Sequence, residues 1–407
     1  MKMLILSQYY PPETGAPQNR LHELALRLKA KGMEVEVLTA MPNYPIMQIF
    51  EGYRGKRFVQ ESIDGISVYR SRIFVRKSSS IFLRLLNYFS FVWTSFWTGW
   101  RKLPGYDYIM VESPPLFLGI SAFLLAKLKG AKMIFNVSDL WPESAEKLGL
   151  VTNRFFLNAA TFLEEFLYRK ASLITGQTMG IVKNISGRFP DKKVYWLPNG
   201  VDLTYFNPEK IPTGWRSKMK LNPDETIFLY AGIIGHAQGL EVILKAADRV
   251  KDTSACFVLV GDGPVKQDLL KLREELGLTN VHFFDPVTKN EIPGIVRDSD
   301  MALIPLRKLP LFEGAIPSKI FENLAMETPI LLGVDGEAKD LFIREGNAGI
   351  YFPPENDEEL ANRVRDIVEK KYDLKELGKN GREYVKAKFN RDEIAEGFHR
   401  ELASLNK

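Results

Sequence analysis

The sequence predicts an α/β protein made of two doubly wound halves, and three observations carry that reading. Short apolar runs, the mark of strands buried on both faces, recur along the chain. Stretches with apolar residues at helical spacing lie between them. Finally, Pro198-Asn199-Gly200-Val201-Asp202 breaks the rhythm at mid-chain, closing one βα series before a second begins. A length of 407 residues suits two or three domains at roughly 150 residues each. A hydrophobic share of 45% with 26% charged residues excludes a disordered, collagenous or polytopic membrane chain.

The first series opens with Met3-Leu4-Ile5-Leu6-Ser7, a buried-strand run. Gln8 to Asn19, with Pro11, Pro12, Gly15 and Pro17, reads as a long loop. Leu21, Leu24, Ala25 and Leu28 then mark a helix over Arg20–Lys31, stopped by Gly32. Val35, Val37 and Leu38 form the next strand. The rhythm continues through strand 108–111, helix 116–129, strand 132–137, strand 172–175 and strand 194–197. After the break come a strand at 226–230, a glycine turn Gly232-Ile233-Ile234-Gly235, a helix over 240–250 and a strand at 256–260. Gly261-Asp262-Gly263-Pro264 follows, then strands at 281–284 and 301–304. Alternation of this kind predicts parallel sheets in both halves, with a cleft between them as the binding site.

Ile81 to Trp100 is unusual in carrying Phe82, Tyr88, Phe89, Phe91, Trp93, Phe96, Trp97 and Trp100. Its length approaches that of a bilayer span, but Arg84, Asn87 and several Ser/Thr interrupt it, and a span would split one sheet across a membrane. Two readings stay open: a helix packed on its own domain, or an interfacial helix with aromatics among headgroups. Charge bears on the choice. Residues 1–200 hold 26 Lys/Arg against 15 Asp/Glu, a balance of +11, whereas the remainder balances at −6. The basic half is a candidate for meeting phosphate or anionic lipid.

One cysteine, Cys256, excludes an internal disulfide or a cysteine zinc cluster, and four histidines leave little for a histidine metal site. No spacing supports a Ser-His-Asp triad or an acidic metal cluster, and basic residues are not interleaved with aromatics as nucleic-acid binding requires. Met1-Lys2 leads straight into a strand without a signal peptide, which points to the cytosol.

The two glycine turns each follow a strand and can offer backbone amides to an anion, although such turns also arise for steric reasons. The sharpest segment is LFEGAIPSKIFENLAMETP, residues 311–329. Pro317 suits the first turn of a helix, and Lys319 and Glu322 then share one face. The lysine can hold a diphosphate, and the carboxylate can accept two adjacent hydroxyls. The alternative is a solvated Lys–Glu pair, against which the apolar Ile320, Phe321, Leu324 and Ala325 speak. In the first half, Asp139 stands just past a buried strand, where α/β folds reach their crevice; it either accepts a substrate hydroxyl or its proton, or caps the following helix. Glu13, Gly15 and Asn19 lie in the loop that faces the same crevice.

These motifs together resemble family 4 glycosyltransferases of the GT-B fold over nearly the whole chain. The resemblance rests on QYYPPETGAPQNRLHELALRLKAKGMEVEVLT, LPNGVDLTYF, GIIGHAQGL, LVGDGP, PSKIFENLAMETPIL and KFNRDEIAEGF. It is nearest to bacterial O-antigen and capsule transferases, including N-acetylfucosaminyl (fucosamine) transferases. It implies an acceptor-binding domain over 1–200, a nucleotide-sugar domain over 201–388, and a helix over 389–407 that crosses back. It further implies retaining transfer of a hexosyl-type sugar from a nucleotide diphosphate sugar, UDP-linked, with no metal or other cofactor. The implied acceptor is a polyprenyl-diphosphate-linked saccharide, at the inner face of the cytoplasmic membrane.

Residue by residue, the resemblance assigns Gly15, Gly232, Gly235, Gln238, Gly263, Ser318, Lys319 and Glu322 to the donor, and Asp139, Glu313 and Lys319 to catalysis. Glu13 and Asn19 fall on the acceptor side. The chain departs from the family where Gly314 stands eight residues before Glu322, with Glu313 one place off. Ile233 and Gln238 stand for the usual Arg and Lys, and Ser138 or Asp139 for the usual His. Lys319, helped by Arg307, would then neutralise the diphosphate. A sugar-nucleotide epimerase of the UDP-N-acetylglucosamine type, and a nucleotide-sugar-binding protein without catalysis, are the alternatives.

Overall fold

The computed structural model describes residues 1–13, 15–77, 81–147 and 151–405. The chain forms two compact units, Met1–Asn199 with Arg391–Lys407, and Gly200–Asn390.

The first unit is built on an eight-stranded sheet. Its strands are β1 (Lys2–Leu6), β2 (Glu34–Ala40), β3 (Phe58–Ile63), β4 (Ile66–Ser71), β5 (Tyr108–Ser113), β6 (Lys132–Val137), β7 (Leu173–Gly176) and β8 (Val194–Trp196). Their order is β3-β4-β2-β1-β5-β6-β7-β8, and only β3 runs antiparallel to its neighbour. The helices are α1 (Ala16–Ala30), α2 (Ile81–Lys102), α3 (Leu118–Lys129), α4 (Glu143–Lys147), α5 (Arg154–Lys170) and α6 (Met179–Arg188). Because side chains alternate along a strand, the sheet divides its core in two. Met3, Ile5, Val35 and Val37 pack with Leu21, Leu24 and Leu28 of α1. Leu4, Leu6, Leu38 and Ile109 pack on the other side with Phe91, Leu118, Leu125 and Leu167 of α2, α3 and α5.

The loop expected over Gln8–Asn19 is shorter than its prolines suggest. Pro17 occupies the first turn of α1, where a missing N–H costs nothing, so Ala16 to Asn19 are helical. The β3–β4 hairpin, not anticipated from the apolar runs, turns at Asp64-Gly65, both with positive φ, as two-residue hairpin turns require. β3 is an edge strand with alternating half-exposed residues, so it lacks the apolar run by which its neighbours announce themselves.

The second unit holds a six-stranded sheet, parallel throughout, in the order β11-β10-β9-β12-β13-β14. These strands are β9 (Thr226–Ala231), β10 (Ala255–Val260), β11 (Val281–Phe284), β12 (Met301–Pro305), β13 (Ile330–Gly333) and β14 (Gly349–Tyr351). Its helices are α7 (Trp215–Lys218), α8 (Glu241–Arg249), α9 (Lys266–Glu275), α10 (Ile292–Arg297), α11 (Lys319–Ala325), α12 (Glu337–Lys339), α13 (Asp357–Val368) and α14 (Leu374–Lys388). Strand β10 is buried at every position, as a central parallel strand must be. The last helix, α15 (Arg391–Ser404), belongs to the first unit. Its Ala395, Phe398 and Leu402 complete the core beneath α1, and Arg27 of α1 reaches Asp392 at 2.7 Å.

Candidate functional site

The residues singled out from the sequence fall into two groups. Gly232, Gly235, Gln238, Gly263, Glu313, Ser318, Lys319 and Glu322 belong to the second unit; Glu13, Gly15, Asn19 and Asp139 belong to the first.

In the second unit the two glycine turns lie side by side at the ends of β9 and β10. Gly232 N–H donates to Val260 O (2.9 Å) and Ile234 N–H to Asp262 O (2.9 Å). A β-carbon on Gly261 would lie 2.0 Å from Gly232 O, and one on Gly263 would lie 2.3 Å from Ile234 O. The second turn is therefore glycine-rich because it packs against the first, which accounts for Gly263 without any ligand. Gln238 closes a short 3-10 turn, His236–Gln238, and Ile233 stands exposed beside it.

Lys319, the first residue of α11, lies across this turn. Its Nζ sits 3.6 Å from the centre of the Tyr230 ring, so close to Gly232 that a β-carbon there would be 2.9 Å away. Tyr230 is held in turn by donating its hydroxyl to Ile233 O at 2.5 Å. Desolvation pulls the Lys319 pKa down to about 7, opposed only in part by the negative charge of Glu322 one turn along. An ammonium so placed gains most from an added anion. Ser318 precedes it, half-buried, and Asn323 Nδ2 donates to Lys319 O at 2.7 Å, tightening this short helix.

Glu313 stands exposed in the 3-10 turn Pro310–Gly314, lining a cavity of about 300 Å³ with Arg307, Phe312, Val334 and Asp335. Gly336 supports that turn: its φ is +76° and a β-carbon would fall 2.1 Å from Glu313 O. The expectation that Arg307 assists Lys319 is corrected. Its guanidinium is committed to Glu241 and Glu355, each at 3.0 Å, and to His236 O at 2.7 Å.

In the first unit Glu13 is also corrected. Its carboxylate is buried and accepts the backbone amides of Tyr10 (3.1 Å), Asn43 (2.8 Å) and Tyr44 (2.9 Å), so it pins the loop after β1 rather than facing an acceptor. Burial nonetheless pushes its pKa up. The buried Arg70 pins the same loop from the other side through Pro11 O, and bonds Glu61 and Ala40 O. Asn19 sits within α1, and Gly15 is the residue before it, with Gln18 folded over the place a side chain would fill. Asp139 does stand past the end of β6. Its carboxylate is held by the Ser144 hydroxyl and the Leu140 N–H, so it caps the turn into α4, and burial raises its pKa.

Ser138, the residue before it, belongs to a network that spacing did not reveal. Arg20 donates to Glu112 (2.8 Å), to Ser138 (2.6 Å) and to Gln177; Glu112 also accepts from Asn136 and Ser138, and Thr175 donates to Asn136 at 2.6 Å. Glu112, Asn136 and Thr175 all lie near the carboxyl ends of β5, β6 and β7. A polar residue ending an otherwise apolar strand was the available signal. Among the described residues, no three His, Cys, Asp or Glu side chains are grouped so as to hold a metal ion.

Comparison with known proteins gives this geometry a family. Residues 15–200 match the "Glycosyl transferase 4-like domain" and residues 213–384 match "Glycosyl transferases group 1". WcaI of Escherichia coli K12, a glycosyl transferase named for colanic acid biosynthesis, is 30% identical over 337 residues, 80% of this chain and 81% of its own. WbjE of Pseudomonas aeruginosa, named as a glycosyltransferase, is 26% identical over 287 residues, 67% of this chain and 68% of its own. Among solved structures, sucrose-phosphate synthase from Thermosynechococcus elongatus superposes with a TM-score of 0.76 at 18% identity, covering 100% of this chain and 99% of that one. Anabaena HepE in complex with UDP-glucose gives 0.71 at 16% identity, covering 99% and 100%. The two parallel-sheet units are thus those of the GT-B fold, and the chain belongs to the family 4 glycosyltransferases.

Proposed function

We propose that the protein transfers a sugar from a UDP-sugar, with retention of anomeric configuration, to a polyprenyl-diphosphate-linked saccharide during synthesis of a bacterial surface polysaccharide. The observation that carries this reading is Lys319: a desolvated ammonium over Tyr230, against Gly232, one turn from Glu322. A diphosphate beside Nζ replaces the stabilisation of the ammonium that water would give it, and Glu322 can accept the paired hydroxyls of a ribose. HepE, of the same fold, holds UDP-glucose, which favours uracil among the nucleotides. The name of WcaI favours a surface polysaccharide. An N-acetylated deoxyhexose is the donor sugar we put first, on the resemblance to fucosamine transferases.

In the reaction the bond between the anomeric carbon and the diphosphate oxygen breaks, and a bond from that carbon to the acceptor oxygen forms on the same face. The acceptor proton passes to the departing diphosphate oxygen, so the chemical task of the chain is to stabilise charge there, which falls to Lys319. Ser318, Gly235 and Gln238 line its approach, and Glu313 meets the sugar hydroxyls. Asp139 offers a contact on the acceptor side. No step requires a metal ion.

Calorimetric titration of UDP, with GDP in comparison and EDTA present, tests the assignment. Micromolar UDP binding, weaker GDP binding, and at least a tenfold loss in Glu322→Ala are expected. Binding of neither nucleotide would reject the donor site. Hydrolysis or interconversion of the sugar nucleotide without any acceptor product would reject the transferase reading.

A further inference from the structure

The outer face of the first unit's α2, α3 and α5 layer is apolar where a soluble surface should not be. Among the described residues, eight of the twelve large hydrophobics that stand exposed lie on these three helices. The most prominent are Phe89, Trp93 and Trp100 on α2, Leu128 on α3, and Phe155 and Phe162 on α5; Phe155 is 84% exposed, Phe162 70% and Trp93 64%. The spacing 89, 93, 100 makes one stripe along α2, as 155 and 162 do along α5. Helices α1 and α15, on the opposite side of the same sheet, contribute none of these exposed residues.

The inner side of the layer is finished. Ser95 Oγ donates to Ser121 Oγ at 3.0 Å, and Gly99 lets Leu125 approach so closely that a β-carbon would lie 2.7 Å from it. Asn87 is buried, donating to Phe74 O and accepting from Gln8 at 2.9 Å. The exposed stripes are therefore not the loose side of a helix awaiting a core; they are a second, outward apolar surface of a layer already packed.

Charge identifies the occupant. The three helices carry eight Lys/Arg and two Glu, and α2 and α3 have no acidic residue. One of the two glutamates, Glu164, is buried against Arg188 and Tyr168. A second copy of this face would meet it with like charge. A bilayer bearing anionic headgroups meets it with opposite charge, and tryptophans beside basic residues are the composition that settles at such an interface. Arg101 shows the arrangement locally, its guanidinium 4.6 Å from the Trp97 ring centre and 5.7 Å from that of Trp100. No helix among the described residues is long and apolar enough to cross a membrane, so the contact is along the surface.

We infer that the α2–α3–α5 face is a docking surface for an anionic lipid bilayer, with Trp93, Trp100, Phe155 and Phe162 inserted among the headgroups. The inference deepens the lipid-linked acceptor reading, since it sets the unit proposed to receive that acceptor against the membrane that holds it. Asn87 joins α2 to Gln8 in the loop after β1, so the docked helix and the crevice loop share a hydrogen bond.

The test is co-sedimentation of the full chain with vesicles of phosphatidylcholine alone and with about one-third phosphatidylglycerol. Wild type is expected to bind the anionic vesicles at least tenfold more tightly than the neutral ones. The quadruple variant Trp93→Ser, Trp100→Ser, Phe155→Ser, Phe162→Ser is expected to lose at least tenfold, with circular dichroism and UDP affinity unchanged. Arg84→Ser with Lys127→Ser should lower binding to anionic vesicles severalfold and leave the weak neutral binding alone. Equal binding by wild type and the quadruple variant would overturn the inference. So would a dimer in sedimentation velocity that the same four substitutions dissociate, because a second copy would then cover the face. Vesicle binding without UDP binding would reject the donor site and leave the docking surface standing.

Discussion

The carboxyl ends of the two sheets handle charge in opposite ways. In the first unit Glu13, Arg70, Arg20 and Glu112, all near the strand ends, are answered by the chain. Glu13 takes three backbone amides, Arg70 takes Glu61 and two carbonyls, and Arg20 and Glu112 hold each other within a wider network. In the second unit, among the described residues, Lys319 meets an aromatic face and a neighbouring carboxylate's field, too little to offset the desolvation that lowers its pKa to about 7. A satisfied buried charge stiffens a loop, whereas an under-compensated one stores affinity for an anion. The contrast separates scaffold from site.

The comparison can be broken first at Arg70. Replacing a fully buried guanidinium with methionine leaves Glu61 and the Pro11 carbonyl without their donor, and Arg70→Met should cost about 3 kcal/mol in denaturant unfolding. A cost below about 1 kcal/mol would mean that the loop is not held as described. Lys319→Met is the converse case. UDP affinity should fall by about 2 kcal/mol, roughly thirtyfold, while thermal stability rises. The sign follows from the lowered pKa. A lysine titrating near 7 in the fold and at about 10.4 when unfolded destabilises the native state as pH falls through that window. The gain in Tm should accordingly be larger at pH 6.5 than at pH 9.5, and a gain independent of pH would point to packing instead.

A finer division lies within the second unit. Gly336→Ala forces a side chain against Glu313 O at positive φ, so it should lower kcat/KM for the sugar donor about tenfold yet leave UDP affinity within twofold. Equal losses in both would remove Glu313 from the sugar end of the site. The smallest effect is on pH. A bound diphosphate favours the ammonium form, so UDP should take up a fraction of a proton at pH 8, and its affinity should weaken several-fold between pH 7 and 9. Calorimetry in two buffers of different ionisation enthalpy reads the uptake directly; its absence would detach Lys319 from the phosphates.

What could be read from the sequence follows the same physics. Strands such as β1, β6, β9 and β10 are buried on both faces, and their apolar runs announce them. The β3–β4 hairpin sits at a sheet edge, where alternation replaces the run, and β13 and β14 are short enough to hide between helices. The Lys319–Glu322 pair was legible because three residues on a helix are neighbours in space. The Arg20–Glu112–Ser138 network was not, because its members are 92 and 118 residues apart and only the sheet brings them together. Glu13 was misjudged for a related reason: its position in the loop was visible, but the Asn43 and Tyr44 amides that claim it come from the far side of α1 and β2.

The return of α15 to the first unit also has a consequence for how the protein is made. Tyr108, buried in β5, gives its hydroxyl to Leu402 O at 2.6 Å, and Ala395, Phe398 and Leu402 fill the core under α1. On the ribosome, everything up to Asn199 emerges with one side of its sheet incomplete, and the whole second unit is synthesised before the missing layer appears. Residues 1–199, although translated before the second unit, therefore finish folding after it has been made. A message broken anywhere before α15 yields a product whose first unit exposes an apolar wound for proteases to find.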